Sequence, residues 1–256
     1  MVKNLVLGNN AVQIIETGNH YGNMNANKSF YPADWTYEQR WSTFLKRRMA
    51  AGKDGGFDGR KMFMADQEDK RGTWFEITKD YVEAFPEGWT DIPQDILIVT
   101  NKLPGVVIGH PVADCPVVMA YDMRHKTLAI GHCSAELVDK RMPQLVIDAL
   151  QEAHPTKDED IMTYISACAG TTWTYDCYPK LATDDEVWKD LITLKEDGLY
   201  HINIKKTVLR QLIQRKVGSV MMSPIDTITN PEFYSNSAAR NDPEKKGRHF
   251  SGAFIR

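Results

Sequence analysis

The chain has 256 residues, of which 42% are hydrophobic and 25% are charged, and its formal net charge is −3. This length and composition are typical of a globular protein with a substantial core, and they exclude an intrinsically disordered chain. A weakly negative chain without a basic stripe has no electrostatic basis for binding nucleic acid or an anionic membrane. We therefore expect a small-molecule substrate or a protein as the partner, with no nucleic acid and no membrane.

Targeting signals and cysteine usage both point to the cytoplasm. The opening stretch MVKNLVLGNNAVQ is too short and too polar for a signal peptide, and no run approaches the ~20 apolar residues of a membrane helix. The four cysteines form no CxxC pair, and a chain of this size does not need disulfides. These features predict a reducing, cytoplasmic location.

The first third of the chain is polar, with one clear helix. In residues 37–51, Trp41, Phe44, Leu45 and Met49 recur at helical spacing. Two short strands are expected at residues 62–65 and 73–77. The sequence contains no nucleotide-binding glycine motif of the GxGxxG or GxxxxGK(S/T) type.

The middle third is much more apolar and reads as a series of strands in hairpin order. Strands are predicted at residues 95–100, 106–110, 117–121 and 127–132. An amphipathic helix follows at residues 137–153, with Leu145, Val146, Ala149 and Leu150 facing inward.

The last third mixes strands and helices and ends in a loop. The predicted elements are a strand at 161–167, helices at 183–195 and 203–216, a strand at 218–222, and an irregular segment at 223–256. Thr183 and Glu186 form a capping-box pattern at the start of the first of these helices, and Ile213 is predicted to be buried in the second. Hairpin order without a regular βαβ series predicts an α+β fold with mixed or antiparallel sheets flanked by helices.

The densest reactive cluster is GHPVADC at residues 109–115 followed by GHC at residues 131–133. A hairpin brings Cys115 and His132 to one sheet edge, where thiolate and imidazole are either zinc ligands or a nucleophile and its base. Asp114 is expected to orient an imidazole or to accept a proton. The alternative is structural, because a lone cysteine is often a small buried hydrophobe.

These segments resemble a known family. The chain reads VADCPV at residues 112–117 and IGHCSAEL at 130–137. This is similar to the YfiH/YlmD laccase-domain family (formerly DUF152), whose pattern is T-A-D-C-x-P-V followed by V-H-A-G-W-R-G. The spacing from the cysteine to the strand-ending Asp122 and to the histidine looks the same. Three further segments resemble family motifs in the same order: DILIVTNKLPG at 95–105, YISACAGTTWTYD at 164–176 and FYSNSAARNDPEKKGR at 233–248.

The resemblance implies a fold, a cofactor and an activity. The fold is a single layered α/β/β/α domain over residues 1–256, with a zinc-capable pocket of one cysteine and two histidines. Members act on purine nucleosides by phosphorolysis or adenosine deamination, or edit peptidoglycan precursors, and they also carry a polyphenol-oxidase label. By resemblance, Cys115 and His132 bind zinc, and Arg240 or Arg248 holds a phosphate or another anionic group of the substrate.

The sequence departs from the family pattern at three places. Asp69, in QEDK, stands where the family has the histidine of Q-V-H-G, which leaves a Cys115, His132 and Asp69 zinc site, with His110 and Cys133 as spare donors. Glu136 stands in the stretch where the family has arginine, and one arginine of the closing R-R pair is missing.

These departures leave three alternatives open. The protein is an active zinc-dependent nucleoside phosphorylase or hydrolase, or it has lost that chemistry and serves as a binding or structural subunit, with a viral or assembly role. The third alternative is a metal-free hydrolase that uses Cys115 as the nucleophile.

Overall fold

In the part of the chain that the structure describes, the strands form two six-stranded sheets and one three-stranded sheet. The computed structural model describes residues 3–65, 71–170, 173–180 and 182–256. Sheet 1 has the order β1 (Lys3–Leu7), β2 (Val12–Glu16), β15 (His249–Ile255), β7 (Val107–Val112), β3 (Met62–Ala65) and β5 (Trp89–Ile92). Sheet 2 has the order β14 (Ser219–Met222), β10 (Ile161–Ile165), β8 (Val117–Asp122), β9 (Thr127–His132), β6 (Ile96–Thr100) and β4 (Trp74–Glu76). Sheet 3 has the order β11 (Trp173–Tyr175), β13 (Tyr200–Ile202) and β12 (Ile192–Leu194).

Both large sheets mix parallel and antiparallel pairs. β3 is parallel to β5 and β7, and β10 is parallel to β14, while β8 and β9 form an antiparallel hairpin. The helices are α1 (Tyr37–Gly55), α2 (Lys79–Ala84), α3 (Ala135–Asp139), α4 (Met142–Ala153), α5 (Asp185–Trp188) and α6 (Ile204–Arg215). No described helix is both long enough and apolar enough to cross a membrane.

Three hydrophobic clusters define four layers. The cluster between sheets 1 and 2 takes alternate residues of both, including Ile108 of β7 and Ile130 of β9. A second cluster lies between sheet 2 and the helices α3, α4 and α6, and a third lies between sheet 1 and α1. Because the central strands are covered on both faces, they are continuous apolar runs such as ILIVT in β6. The predicted α+β fold with α/β/β/α layers and mixed sheets is confirmed.

The longest helix, α1, is fixed at both ends by its own sequence. The side chain of Thr36 accepts a hydrogen bond from the backbone N–H of Gln39, and the side-chain oxygen of Gln39 accepts one from the backbone N–H of Thr36, which completes a capping box. At the other end, Gly56 adopts a left-handed conformation with φ of 72°, which stops the helix. The predicted helix at residues 37–51 is therefore correct and extends to Gly55.

Several predicted elements differ from the structure. The helix predicted at residues 137–153 is two helices, because Arg141 has a φ of 62° and breaks the first before α4 begins. The helix predicted at 183–195 is the short α5 followed by strand β12. Ile213 is 59% exposed, since it lies on the outer side of α6.

The C-terminal segment also contains a strand where a loop was predicted. Strand β15 lies between β2 and β7, inside sheet 1. Gly252 of β15 pairs with Gly109 of β7, and a Cβ at Gly252 would lie 2.3 Å from the carbonyl oxygen of Ile108. Two glycines therefore allow a close backbone approach that the strand propensities of the sequence do not show.

Candidate functional site

The start of β8 and the end of β9 meet at one edge of sheet 2. Val117 is the register partner of His132, and the backbone N–H of Cys133 donates to the carbonyl oxygen of Pro116 at 2.8 Å. Cys115 lies two residues before Val117, so it lies at the same edge as His132. The structure thus brings the two predicted residues to one sheet edge; their chemical roles stay predictions.

His132 faces the space between the two large sheets. It is 6% exposed and follows the alternation of Leu128 and Ile130, which both belong to the cluster between the sheets. From sheet 1, His110 of β7 approaches it, with the two ring centroids 5.8 Å apart and the planes 33° apart. Burial lowers the pKa of His110 to about 4, against a smaller opposing effect of the Ile130 backbone. His110 is therefore a neutral imidazole at physiological pH.

The thiol of Cys115 is a poor nucleophile in this environment. Cys115 keeps partial exposure to the cavity beside it. Desolvation by the surrounding protein nevertheless raises its pKa to about 12, with the charge of Asp114 adding to the rise and the Arg248 guanidinium opposing it. At neutral pH the sulfur carries its proton, and a bound metal ion is what would deprotonate it.

Asp114 connects the edge of sheet 2 to the C-terminal segment. It has a φ of 76°, and its carboxylate accepts from the Thr227 hydroxyl at 2.9 Å and from the backbone N–H of Ser237 at 2.8 Å. Its carbonyl oxygen accepts from the N–H of Ala169 at 2.7 Å. Through these contacts Asp114 positions the C-terminal segment against the edge of sheet 2. The role predicted from the sequence, orienting an imidazole or accepting a proton, stays a prediction.

A cavity of about 210 Å³ opens beside Cys115. Its walls are formed by Ala113, Asp114, Cys115, Trp173, Tyr175, Asn236, Ser237 and Arg240. The rings of Trp173 and Tyr175, both on β11, lie 6.0 Å apart with planes 28° apart. Burial raises the pKa of Tyr175, and the nearby Cys115 adds to the rise, so its hydroxyl stays protonated. An aromatic wall, two small polar side chains and a guanidinium thus converge on one thiol.

The two predicted anion-binding arginines lie on this side of the molecule. Arg240 lines the cavity. Arg248 donates from Nη1 to Asn236 Oδ1 at 2.8 Å and lies over the ring of Phe30 at 5.0 Å. Burial lowers the pKa of Arg248, while Cys115 and Asp114 oppose that shift. Arg240 therefore faces the cavity, and Arg248 holds Asn236 in its wall. The anion-binding role of both arginines stays a prediction.

The donor types at this edge suit zinc, although the structure shows only part of a ligand set. A cysteine sulfur and a histidine nitrogen are common zinc donors. Nearby, in the described part of the chain, the buried imidazole of His110 interacts with the Ile130 backbone and lies against the ring of His132. Within that same part, no three His, Cys, Asp or Glu side chains are placed to hold a metal ion. The predicted third ligand, Asp69, lies outside the described residues.

Sequence reasoning missed several of the cavity residues. Asn236 and Ser237 were not singled out, although they belong to the segment that resembles the family's closing motif. His110 was named only as a spare zinc donor, and the structure sets it against His132 across the two sheets. The strand alternation of GHPV, which sets His110 on the same face as Ile108 and Val112, was the available signal.

The four-layer fold and the cysteine–histidine edge are those expected of a laccase-domain protein. The model of the multi-copper polyphenol oxidoreductase laccase family matches residues 60–256. The chain therefore belongs to this family, the YfiH/YlmD family. A search of curated protein sequences gives no significant match.

Three solved structures share the fold. Bacillus licheniformis hypothetical protein YfiH has a TM-score of 0.72 and 18% identity, covering 96% of this chain and 94% of its own. YlmD from Geobacillus stearothermophilus has a TM-score of 0.75 and 16% identity, covering 96% and 92%. Neisseria meningitidis protein NMB0706, of the DUF152 family, has a TM-score of 0.72 and 14% identity, covering 100% and 98%. At these identities the similarity establishes the fold alone.

Proposed function

We propose that the cavity at Cys115 binds a purine nucleoside and that the protein, with zinc at Cys115 and His132, cleaves the nucleoside by phosphorolysis or deaminates it. The observation that carries the proposal is the convergence of Trp173, Tyr175 and Arg240 on the Cys115 thiol in one cavity. The aromatic rings suit the purine base, and the guanidinium suits phosphate.

The recognition chemistry follows from the walls of the cavity. The aromatic pair Trp173 and Tyr175 offers a π surface on which a planar base stacks. Asn236 and Ser237 offer hydrogen bonds to ring nitrogens or ribose hydroxyls. Arg240 offers a charge-assisted contact to phosphate.

Zinc binding is a better account of the role of Cys115 in this cavity than direct nucleophilic attack by its thiol. A thiol with a pKa of about 12 is almost wholly protonated at neutral pH. This argues against Cys115 as a metal-free nucleophile. Zinc would supply a bound water with a pKa of about 7. In this proposal Cys115 and His132 hold the metal, the neutral His110 contacts His132 from the other sheet, and Asp114 keeps the cavity wall in place.

Metal content and turnover test the proposal separately. Protein purified without chelator should contain about one zinc per chain. Cys115→Ala should lose the zinc, while Cys177→Ala, which changes an exposed cysteine, should keep it. If the zinc content stays near zero even after zinc is added, zinc binding at Cys115 is ruled out.

The activity is measured with adenosine and with inosine in the presence of phosphate. We expect the unmodified protein and Cys177→Ala to turn over the nucleosides. Cys115→Ala should have lost this activity. Equal rates in Cys115→Ala and the unmodified protein would remove the enzyme proposal.

A second candidate function is a binding or structural subunit that has lost the family chemistry. It is favoured by Glu136, which reverses the charge of the family's arginine and forms an ion pair with Lys140 at 3.3 Å. This candidate predicts a stable complex with a protein partner in size-exclusion chromatography of native extract, together with no turnover of any nucleoside.

A further inference from the structure

A second cavity, of about 320 Å³, lies between the first half of α1 and the segment that joins α2 to β5. Four aromatic side chains and one carboxylate line it: Tyr37, Trp41, Phe85, Trp89 and Glu87. Among the residues that the structure describes, its lining shares none with the cavity at Cys115. Its volume lies at the lower end of the range of small-molecule sites, about 300–1,000 Å³.

Aromatic rings form most of the side-chain wall of this cavity. Tyr37 and Trp41 are four residues apart on α1 and so lie on one helix face, with ring centroids 6.2 Å apart and planes 12° apart. Phe85 and Trp89 face them from the other segment, with centroids 4.9 Å apart. Aromatic faces carry partial negative charge, so a cavity lined by four of them attracts cations more strongly than an aliphatic cavity does.

The chain already places its own cations against two of these rings. The guanidinium carbon of Arg40 lies 5.7 Å from the Tyr37 centroid, and that of the fully buried Arg48 lies 5.6 Å from the Trp41 centroid. Over Phe85 and Trp89, by contrast, no arginine or lysine of the described part of the chain is stacked. The Phe85 and Trp89 side of the cavity is therefore the side that has room for a cation from outside.

A carboxylate completes the charge complementarity. Glu87 Oε2 accepts a hydrogen bond from Trp41 Nε1 at 3.5 Å, which holds the carboxylate against the cavity wall. Asp91 lies close enough to raise the pKa of Tyr37, after the larger effect of burial. Arg48 beneath the wall donates to the backbone carbonyl of Glu87, and its charge also attracts the Glu87 carboxylate. Glu87 would repel an anionic ligand, and among the described residues that line the cavity there is no cation to attract one.

We propose that this cavity binds a quaternary ammonium group, held by the rings of Phe85, Trp89 and Trp41 and by the carboxylate of Glu87. A primary ammonium carries three N–H donors and is strongly hydrated, and a single lining carboxylate cannot replace that water. A sugar needs several polar partners, whereas Glu87 is the one charged side chain that lines this cavity in the described structure and the other polar groups are those of aromatic rings. A quaternary ammonium has no N–H donor to satisfy and gains from every aromatic face.

The experiment is a calorimetric titration of the full chain with choline and with an uncharged choline analogue that has carbon in place of the quaternary nitrogen. Choline should bind in the millimolar range or tighter, and the uncharged analogue about tenfold more weakly, because it lacks the cation–π attraction. Trp89→Ala and Glu87→Gln should each weaken choline binding by about five- to tenfold. Trp35→Ala, which removes a tryptophan outside this cavity, should leave it unchanged.

Two results would overturn the proposal. The first is absence of choline binding to the folded, unmodified protein. The second is equal affinity for choline and its uncharged analogue, which would show a merely apolar cleft. Circular dichroism confirms that each variant is folded, and the exposed position of Glu87 keeps Glu87→Gln informative if Trp89→Ala proves unstable.

Discussion

The carboxylate of Glu16, at the end of β2, accepts a hydrogen bond of 2.6 Å from the backbone N–H of Ala167, which follows β10 in the other large sheet. Two hydroxyls, of Tyr164 and Ser223, donate to the same carboxylate at 3.3 Å. Glu16 is fully buried, so one side chain joins sheet 1 to two segments of sheet 2 at the end where the cavity lies.

Replacing this carboxylate should destabilise the whole fold. In Glu16→Ala the buried N–H of Ala167 and two hydroxyls lose their shared acceptor, so the free energy of unfolding should fall by about 2 kcal/mol or more. Urea denaturation measures the change. Glu83→Gln is the control, because Glu83 is exposed in an ion pair with Lys79 and its loss should cost under about 0.5 kcal/mol. Equal effects of the two variants would contradict the assigned role of Glu16.

Acid should destabilise the protein through His249. Burial, with the nearby Arg248 charge, lowers its pKa to about 3, against about 6.5 in an unfolded chain. Between these values the unfolded state binds more protons, so stability is full above pH ~6.5 and is lost as pH falls toward 3. At pH ~5 the loss from this residue is about 2 kcal/mol. Urea denaturation from pH ~7 to ~5 should show a shallower decline in His249→Gln, and an unchanged slope would refute the assignment.

Arg240 should control the affinity for phosphate. Its guanidinium lines the cavity at Cys115, and loss of a charge-assisted hydrogen bond should weaken phosphate binding by about tenfold or more. Titration calorimetry with inorganic phosphate compares Arg240→Ala with Arg210→Ala, a variant of a half-buried arginine outside this cavity that contacts the Lys189 carbonyl. The same affinity in both variants would show that phosphate is held elsewhere.

Gly252 should not tolerate a side chain. A Cβ there would lie 2.3 Å from the carbonyl oxygen of Ile108, which is backbone and cannot move without disturbing the pairing of β7 and β15. Gly252→Ala should therefore lower the free energy of unfolding by about 3 kcal/mol or more. In Gly198→Ala the new Cβ meets no described atom within 4 Å, so only the cost of its φ of 76° remains, about 1 kcal/mol. Thermal unfolding of both variants checks the ranking.

The elements that could be predicted are those whose signal is local. Helix α1 has a periodic apolar face and a capping box, and β6, β8 and β9 are continuous apolar runs. Strand β15 could not be predicted, because its place in the middle of sheet 1 depends on partners more than a hundred residues away. The break at Arg141 was hidden for a different reason: a left-handed arginine has no sequence signature.

The same distinction holds for the candidate site. The common edge of Cys115 and His132 could be predicted, because a short hairpin connects them. The contacts of Asp114 could not, since Thr227 and Ser237 are 113 and 123 residues away in the chain. Hydrogen bonds between such distant segments follow from tertiary packing, which residue patterns do not encode locally.

The central position of β15 has a consequence for synthesis on the ribosome. Until residue 255 has emerged, β2 and β7 have no strand between them, and sheet 1 stays split into two parts. Asp114 likewise lacks the partners that shape the cavity until residue 237 has left the exit tunnel. A chain whose residues 237–255 are still inside the tunnel therefore lacks the finished cavity at Cys115, however much of the rest of the fold has already condensed.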